Sequence, residues 1–202
     1  MAYNKKYADW SKKRWFEIIA PSRIFNEIII GETPAYEEDQ VIGRTVDINL
    51  AFVTGNFKYQ NMKVIFQIYK VVGLKAYADI KEVALYDAYV RRIVRLGTSR
   101  IDDSFVVKTK DGIEIRLKPL VITRFKTHRK QKSDIRKKLK EFLVKKAEEL
   151  EFYDFIEKVI NYEIQNEIKP VLNKIFPVGH VEVRRIARET PLVVKEEIKA
   201  KM

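Results

Sequence analysis

Residues 105–118 read FVVKTKDGIEIRLK, two runs of alternating apolar and polar side chains joined at Asp111 and Gly112. A period of two is typical of half-buried β-strands. Asp-Gly between two such runs is among the strongest short-range signals for a β-hairpin. This stretch therefore predicts an antiparallel strand pair and puts a β-sheet at the centre of the expected fold.

Strand and helix patterns divide the rest of the chain. Helical spacing appears at 85–96 and, in three apolar stripes, between 135 and 176, where Pro170 marks a kink or a restart. The pair Ser133-Asp134 is a good N-cap, so the first C-terminal helix is expected to start there. Further strands are predicted at 15–19, 28–30, 46–52, 62–73, 76–80 and 181–184.

These elements predict an α+β fold. We expect an antiparallel β-barrel of about seven strands, with one inserted helix and the C-terminal helices packed outside. No Ser/Gly/Pro-rich linker divides the chain. We therefore predict one barrel-plus-helices domain over 16–189, preceded by a basic and aromatic arm at 1–15 and followed by a tail at 190–202.

The composition limits the class of protein. The 202 residues are 46% hydrophobic and 34% charged, and 40 Lys and Arg against 28 Asp and Glu give a net charge of +12. Such a balance points to a polyanionic partner, either nucleic acid or an anionic membrane surface. Cysteine is absent, which excludes disulfide scaffolds, thiol catalysis and cysteine-ligated zinc. Without a long apolar stretch or a secretory signal, we expect a cytoplasmic protein.

The positive charge is concentrated in one segment. Residues 124–146 contain eleven basic residues and two acids, whereas 147–168 contain seven acids and one lysine. This polarity favours a focused cationic patch over an ordinary solvated helix face. A membrane-surface helix is the weaker alternative, because the apolar stripes nearby can pack against one another. The candidate RNA-binding residues of this segment are Arg124, Lys126, His128, Arg129, Lys130, Lys132, Arg136, Lys137 and Lys138.

The placement of these cations opposes helix stability. If the helix starts at Ser133-Asp134, Arg136, Lys137 and Lys138 lie in its first two turns, where the helix dipole disfavours positive charge. An external polyanion would reverse that cost, because helix N-terminal amides and cations both favour phosphate. The preceding run, 123–132, lacks periodicity and is expected to be a flexible basic loop that becomes ordered on RNA.

The N-terminal arm alternates cations with flat rings. Such a pattern can neutralise phosphates and stack on bases, but it is equally compatible with a terminus whose tryptophans pack on the domain. The candidate RNA-binding residues here are Lys5, Lys6, Lys12, Lys13, Arg14 and Trp15.

Motifs for catalysis and for cofactor or metal binding are missing. The seven glycines are at least twelve residues apart, which eliminates dinucleotide-binding and P-loop motifs. His128 and His180 are not at ligand spacing, and His180 is expected to be structural. Asp102-Asp103 with Glu114 is the one conceivable magnesium site, and a carboxylate-dependent RNA-processing nuclease is therefore the alternative function. We predict no enzyme, no catalytic residue, no metal and no cofactor.

Seven short motifs are spread over about 12–186. They are Lys13–Phe16 with Ala20–Ser22, Ile30–Thr33, Gly43–Thr45, Val107–Gly112 with Leu117, Ile122–Arg124, Asp134–Lys138, and Ile175–Pro177 followed by Val181–Arg185. Taken together and in this order, they are specific and resemble the small-subunit ribosomal protein family that archaea and eukaryotes share, the "eukaryote-type S-one" family (older name "S-three-Ae").

This resemblance implies a structural protein of the small ribosomal subunit. It implies a β-barrel docked on ribosomal RNA at the platform, near the messenger exit, with neighbouring platform proteins and possible messenger RNA or initiation-factor contacts. The chain lacks the long basic C-terminal extension of eukaryotic members, which favours an archaeal form. Through the family motifs, Arg44, Arg184 and Arg185 join the candidate RNA-binding residues.

Overall fold

The computed structural model describes residues 10–192, and within this range nine strands and six α-helices share one hydrophobic core. Short 3-10 helices lie at Trp10–Lys12, Glu38–Gln40 and Phe57–Tyr59. The strands are β1 (Arg14–Ile19), β2 (Ile29–Ala35), β3 (Thr45–Asn49), β4 (Met62–Val72), β5 (Lys75–Leu85), β6 (Arg100–Asp102), β7 (Phe105–Lys108), β8 (Glu114–Thr123) and β9 (Val178–Arg188). The helices are α1 (Ser22–Phe25), α2 (Leu50–Thr54), α3 (Asp87–Ile93), α4 (Arg129–Glu149), α5 (Phe152–Ile160) and α6 (Glu163–Asn173).

All nine strands belong to one mixed sheet. Its main order is β2-β1-β5-β9-β8-β6, with β4 and then β3 on the other edge of β5, and β7 beside β6 on β8. The α+β class is confirmed. The antiparallel barrel of about seven strands is not: over residues 10–192 the strand order does not close on itself, and β1 runs parallel to β5.

The length of β5 explains this departure. Residues 75–77 pair with β1, whereas 82–84 pair with β9 on the same side of the strand. One long strand thus divides its edge between two partners, and the sheet branches where a barrel would continue. Alternation along a strand reports which face is buried and carries no information about the direction or number of its neighbours.

The hairpin predicted at Asp111-Gly112 is confirmed. Phe105 pairs with Leu117 and Lys108 with Glu114 in the antiparallel register of β7 and β8. Gly112 has φ of 80°, a conformation that favours glycine, and its N–H donates to the carbonyl of Thr109 at 2.9 Å.

Several predicted element boundaries are wrong, and one strand end and one helix start show why. The strand expected to reach residue 52 stops at Asn49, whose side-chain oxygen accepts from the N–H of Ala51 at 2.9 Å and caps α2. The first C-terminal helix does not start at Ser133-Asp134, because α4 already begins at Arg129. Arginine, lysine and glutamine are good helix formers, so the basic run extends the helix by one turn.

Helices α4 and α6 pack directly on β7 and β9, and α5 adds core side chains and a hydrogen bond to the sheet. Phe152 and Phe155 are fully buried, together with Phe16 and Phe66 from the strands. The hydroxyl of Tyr153 donates to Asp79 Oδ1 of β5 at 2.7 Å. Asp79 Oδ2 in turn pairs with Arg188 of β9 at 2.9 Å. Apolar burial and one buried ionic network therefore hold the helical layer, including α4, in a defined position on the sheet.

Candidate nucleic-acid interface

Helix α4 has one buried stripe and a cationic remainder. Ile135, Leu139, Leu143 and Ala147 follow one another at intervals of four and are almost fully buried, as expected for residues on one face of a helix. Over 129–140 the helix carries seven basic residues and one acid, Asp134. The packing of the apolar stripe therefore orients the basic side chains of the N-terminal half away from the core.

Most of these cations have no intramolecular counter-charge. Among the residues that the structure describes, no carboxylate oxygen lies within 4 Å of the cationic groups of Arg129, Lys130, Lys132, Arg136 or Lys137. Lys138 is the exception, since its Nζ lies 3.5 Å from Glu141, and both side chains are exposed. Unpaired cations concentrated on one helix make a strong local positive potential.

The charge distribution at the start of α4 opposes its dipole. The first turn contains Arg129, Lys130 and Lys132 and no acid, while the last turn holds Lys146 together with Glu148 and Glu149. Each unfavourable charge costs a few tenths of a kcal/mol. His128 occupies the N-cap position without a side-chain capping bond. An anion at this end would compensate for the cations and for the uncapped amides together.

The connection from β8 to α4 is held in place by hydrogen bonds. Ser99 donates its N–H to the hydroxyl of Thr123 at 3.0 Å, and its own hydroxyl accepts from the N–H of Thr127 at 3.0 Å. The N–H of Arg124 donates to the carbonyl of Pro177 at 3.0 Å. The loop expected over 123–132 is shorter than predicted, because 129–132 is helical. Residues 124–128 are pinned to their neighbours by these hydrogen bonds, and the expected flexibility of this segment stays a prediction.

The pinned connection carries side chains suited to RNA. Arg124, Lys126 and His128 are exposed, and neither Arg124 nor Lys126 has a carboxylate within 4 Å in the described part of the chain. Phe125 between them is 64% exposed. A flat exposed ring among cations offers a stacking surface for a base. Phe125 is not among the residues predicted from the sequence, although an aromatic residue inside a basic run is a visible signal for base stacking.

Comparison with known proteins identifies the family. Residues 2–190 match the Ribosomal S3Ae family. The chain belongs to this family. A small ribosomal subunit protein eS1 from Nanoarchaeum equitans is 44% identical over 189 residues, which are 94% of this chain and 95% of the relative.

Proteins of the same name from two further archaea support this assignment. The one from Desulfurococcus amylolyticus is 35% identical over 174 residues, 86% of this chain and 81% of the relative. The one from Saccharolobus islandicus is 38% identical over 176 residues, 87% of this chain and 84% of the relative. The resemblance read from the motifs is confirmed, including its archaeal character.

In this S3Ae-family protein the described part of the arm leaves both tryptophans exposed. Trp10 and Trp15 are 61% and 54% exposed, and the Nζ of Lys13 lies 3.8 Å from the centre of the Trp10 ring. Arg14 and Trp15 begin β1, and Lys12 ends the 3-10 helix before it. Lys5 and Lys6 lie outside the described residues. Of the two alternatives for the arm, core packing of the tryptophans does not fit this exposure.

Three candidates from the S3Ae motifs have intramolecular partners far from α4 in sequence. The guanidinium of Arg44 donates to Thr33 Oγ1 at 2.7 Å and to the carbonyl of Pro34 at 3.0 Å. Arg184 pairs with Asp87 at 3.3 Å, and Arg185 pairs with the nearly buried carboxylate of Glu82. These arginines support the sheet through these contacts.

The carboxylates considered for magnesium do not converge. Asp102 lies 2.6 Å from the Nε of Arg100, and Glu114 lies 3.2 Å from the Nζ of Lys108. One oxygen of Asp103 accepts from the N–H of Ser104 at 2.8 Å. Within residues 10–192 no three His, Cys, Asp or Glu side chains are grouped to hold a metal ion. The nuclease alternative therefore has no site in the described chain.

The membrane-surface alternative requires an exposed apolar face on the basic helix. In the range 10–192, each helix is too short or too polar to cross a bilayer. The apolar stripe of α4 is covered, with Ile135 and Leu139 at 0% and 2% exposure, so it leaves no apolar face for a lipid surface.

Proposed function

We propose that this protein is a structural, non-enzymatic constituent of the small ribosomal subunit that binds ribosomal RNA in translation. The observation that carries the proposal is the row of unpaired cations on the first half of α4 and on the connection before it. Its archaeal relatives are named small ribosomal subunit protein eS1. RNA phosphates are the natural ligand for cations placed at a helix N-terminus.

The finer parts of the proposal concern place and partners. The protein docks on the platform near the messenger exit, in the cytoplasmic ribosome, beside other platform proteins and within reach of messenger RNA or initiation factors. These points rest on the family resemblance. The contact residues we propose are the cations of 124–138 together with the arm, whereas Arg44, Arg184 and Arg185 act mainly through the contacts they make inside the protein.

Salt dependence tests the proposed contact surface. Changing Arg129, Lys130 and Lys132 together to alanine should flatten the plot of log binding constant against log salt by about two to three units, since each phosphate contact contributes about 0.7–0.9. The ligand is small-subunit ribosomal RNA, and binding is measured at a series of salt concentrations.

A matched variant controls for net charge. Lys70, Lys75 and Lys110 are exposed, lie outside the α4 surface and have no carboxylate within 4 Å in the described structure. Their change to alanine removes the same charge and should leave the slope within about half a unit, because no phosphate contact is lost. Equal slopes for wild type and the α4 variant would refute the assignment of the interface to this helix.

A further inference from the structure

A polar cavity lies between α6 and the start of β9. Its volume is about 300 Å³, and its wall includes Lys58, Tyr162, Gln165, Lys169, His180 and Glu182. Gly179 also lines the cavity. The Cγ of Arg124 lies 3.9 Å from the point where a β-carbon built on Gly179 would be. The cavity therefore adjoins the connection that leads into α4, next to the proposed RNA surface.

Two residues that line the cavity each have a buried side-chain oxygen without a hydrogen-bond donor. Gln165 is 3% exposed, and its amide nitrogen donates to the carbonyl of Val159 at 2.9 Å. Glu182 is 6% exposed, and its Oε1 accepts from the hydroxyl of Tyr89 at 3.0 Å. The remaining oxygens, Gln165 Oε1 and Glu182 Oε2, are buried with no partner among the described residues. Buried acceptors without donors are rare and costly, which points to a ligand that supplies two donors.

The charges around the cavity select the class of ligand. Lys58 and Lys169 line it and have no carboxylate within 4 Å in the described chain, so the site disfavours a free metal ion and favours phosphate. Tyr162 and His180 add ring surfaces. Burial, followed by Lys169 and Arg95, lowers the pKa of His180, which keeps its ring neutral at pH 7. Acceptors, cations and flat rings around one cavity match a nucleotide.

We propose that this cavity binds one unstacked guanine base, with N1–H and the 2-amino group donating to Glu182 and Gln165 and with the phosphates held by Lys58 and Lys169. Guanine is the base that presents two neighbouring N–H donor groups on its Watson–Crick edge. Adenine and cytosine place an acceptor nitrogen beside their amino group, and uracil flanks its single N–H with two carbonyls, so each would set a lone pair against the buried oxygens. The inference deepens the proposed RNA-binding function and rests on it.

The first experiment measures mononucleotides on the full chain. GMP should bind the wild-type protein saturably, with chemical-shift changes at Tyr162 and His180 and a Kd of roughly 1 mM, whereas AMP, CMP and UMP should bind at least about tenfold more weakly. Glu182→Gln replaces one of the two acceptor oxygens with an NH2 donor and removes the negative charge at nearly the same shape, so it should reduce the preference for GMP. Lys169→Ala should weaken GMP and AMP alike, since it acts on the phosphate.

Acidification provides a second readout on the same protein. Burial raises the pKa of Glu182 to about 7. Below that pH the protonated carboxyl becomes a donor, so GMP binding should weaken as the pH falls from 8 to 6. The charged and titratable groups around Glu182 are Tyr89 from α3, Tyr162 and Lys169 from α6, His180 from β9 and Lys58 from the 3-10 helix. Burial raises the pKa of Tyr89 and of Tyr162, so both hydroxyls stay protonated over this range.

A binding experiment with small-subunit ribosomal RNA identifies the source of the guanine. If it is a residue of the ribosomal RNA, Glu182→Gln should weaken binding to small-subunit RNA about tenfold without changing the salt slope, because a base contact is lost and no phosphate contact. GMP binding with unchanged RNA affinity would assign the cavity to a free guanine nucleotide and would also support the proposal.

Two outcomes would overturn it. One is equal binding of all four nucleotides. The other is no saturable GMP binding by the folded wild-type protein up to roughly 10 mM, which would mean that the cavity holds only water. Either result is distinct from failure of the proposed function, which is judged by the salt slope of the α4 alanine variant. Melting curves of Glu182→Gln verify that the variant is folded, and Gln165→Leu, which removes the second acceptor, repeats the test if it is not.

Discussion

Changing Arg129, Lys130 and Lys132 together to glutamate is expected to abolish RNA binding while the free protein becomes slightly more stable. The three cations occupy the first turn of α4 without an acid beside them, where the helix dipole favours negative charge. We expect a gain of about 0.5–1 kcal/mol in the free energy of unfolding, since each dipole contribution is a few tenths and is screened by salt.

RNA affinity should move far more than stability does. Three contacts that attract phosphate become repulsive, and we expect a loss of at least about a thousandfold at roughly 0.1 M salt. The free energy of unfolding is measured in denaturant, and RNA affinity is measured on the same preparation. Changing Lys70, Lys75 and Lys110 to glutamate gives the same net charge and should retain most of the affinity. Lower stability combined with normal RNA binding would mean that the three cations hold α4 to the protein.

Asp79→Ala is expected to cost about 3–5 kcal/mol of stability, because it leaves the guanidinium of Arg188 buried without its counter-charge. The side chains of Arg188 and Asp79 are only 15% and 12% exposed. The same carboxylate accepts from Tyr153 of α5 at 2.7 Å. Loss of Asp79 should therefore weaken the attachment of the helical layer as well as the pairing of β5 with β9.

An exposed ion pair of the same chemistry provides the control. The side chains of Asp102 and Arg100 are 44% and 39% exposed. Asp102→Ala breaks this pair and should lower the free energy of unfolding by about 1 kcal/mol or less. The double change Asp79→Ala with Arg188→Met removes both buried charges and should recover part of the loss. If Asp79→Ala and Asp102→Ala cost the same, the buried network does not contribute as the structure indicates. All four chains are compared by denaturant unfolding.

The candidate site shows how far sequence reasoning reaches. The concentration of cations over 124–138 is visible in the sequence because ionisable groups keep their charge whatever the fold. Which cations are free to contact RNA is not visible in the sequence. Arg184 and Arg185 resemble the other candidates until the structure shows their ion pairs with Asp87 and Glu82. The cavity at Glu182 was missed because its lining comes from segments more than a hundred residues apart, Lys58 among them.

The sequence by itself determined the hairpin at Asp111-Gly112, the helical C-terminal third and the cationic run, because turn chemistry, apolar periodicity and charge are local properties. The tertiary structure alone decided the parallel contact of β1 with β5, the open sheet, the start of α4 at Arg129, and the meeting of Gln165 with Glu182 in one cavity. Strand neighbours, helix ends and cavities depend on which distant segments meet. The free energy that selects one arrangement comes from burial and pairing between those segments, and no local pattern in the sequence records it.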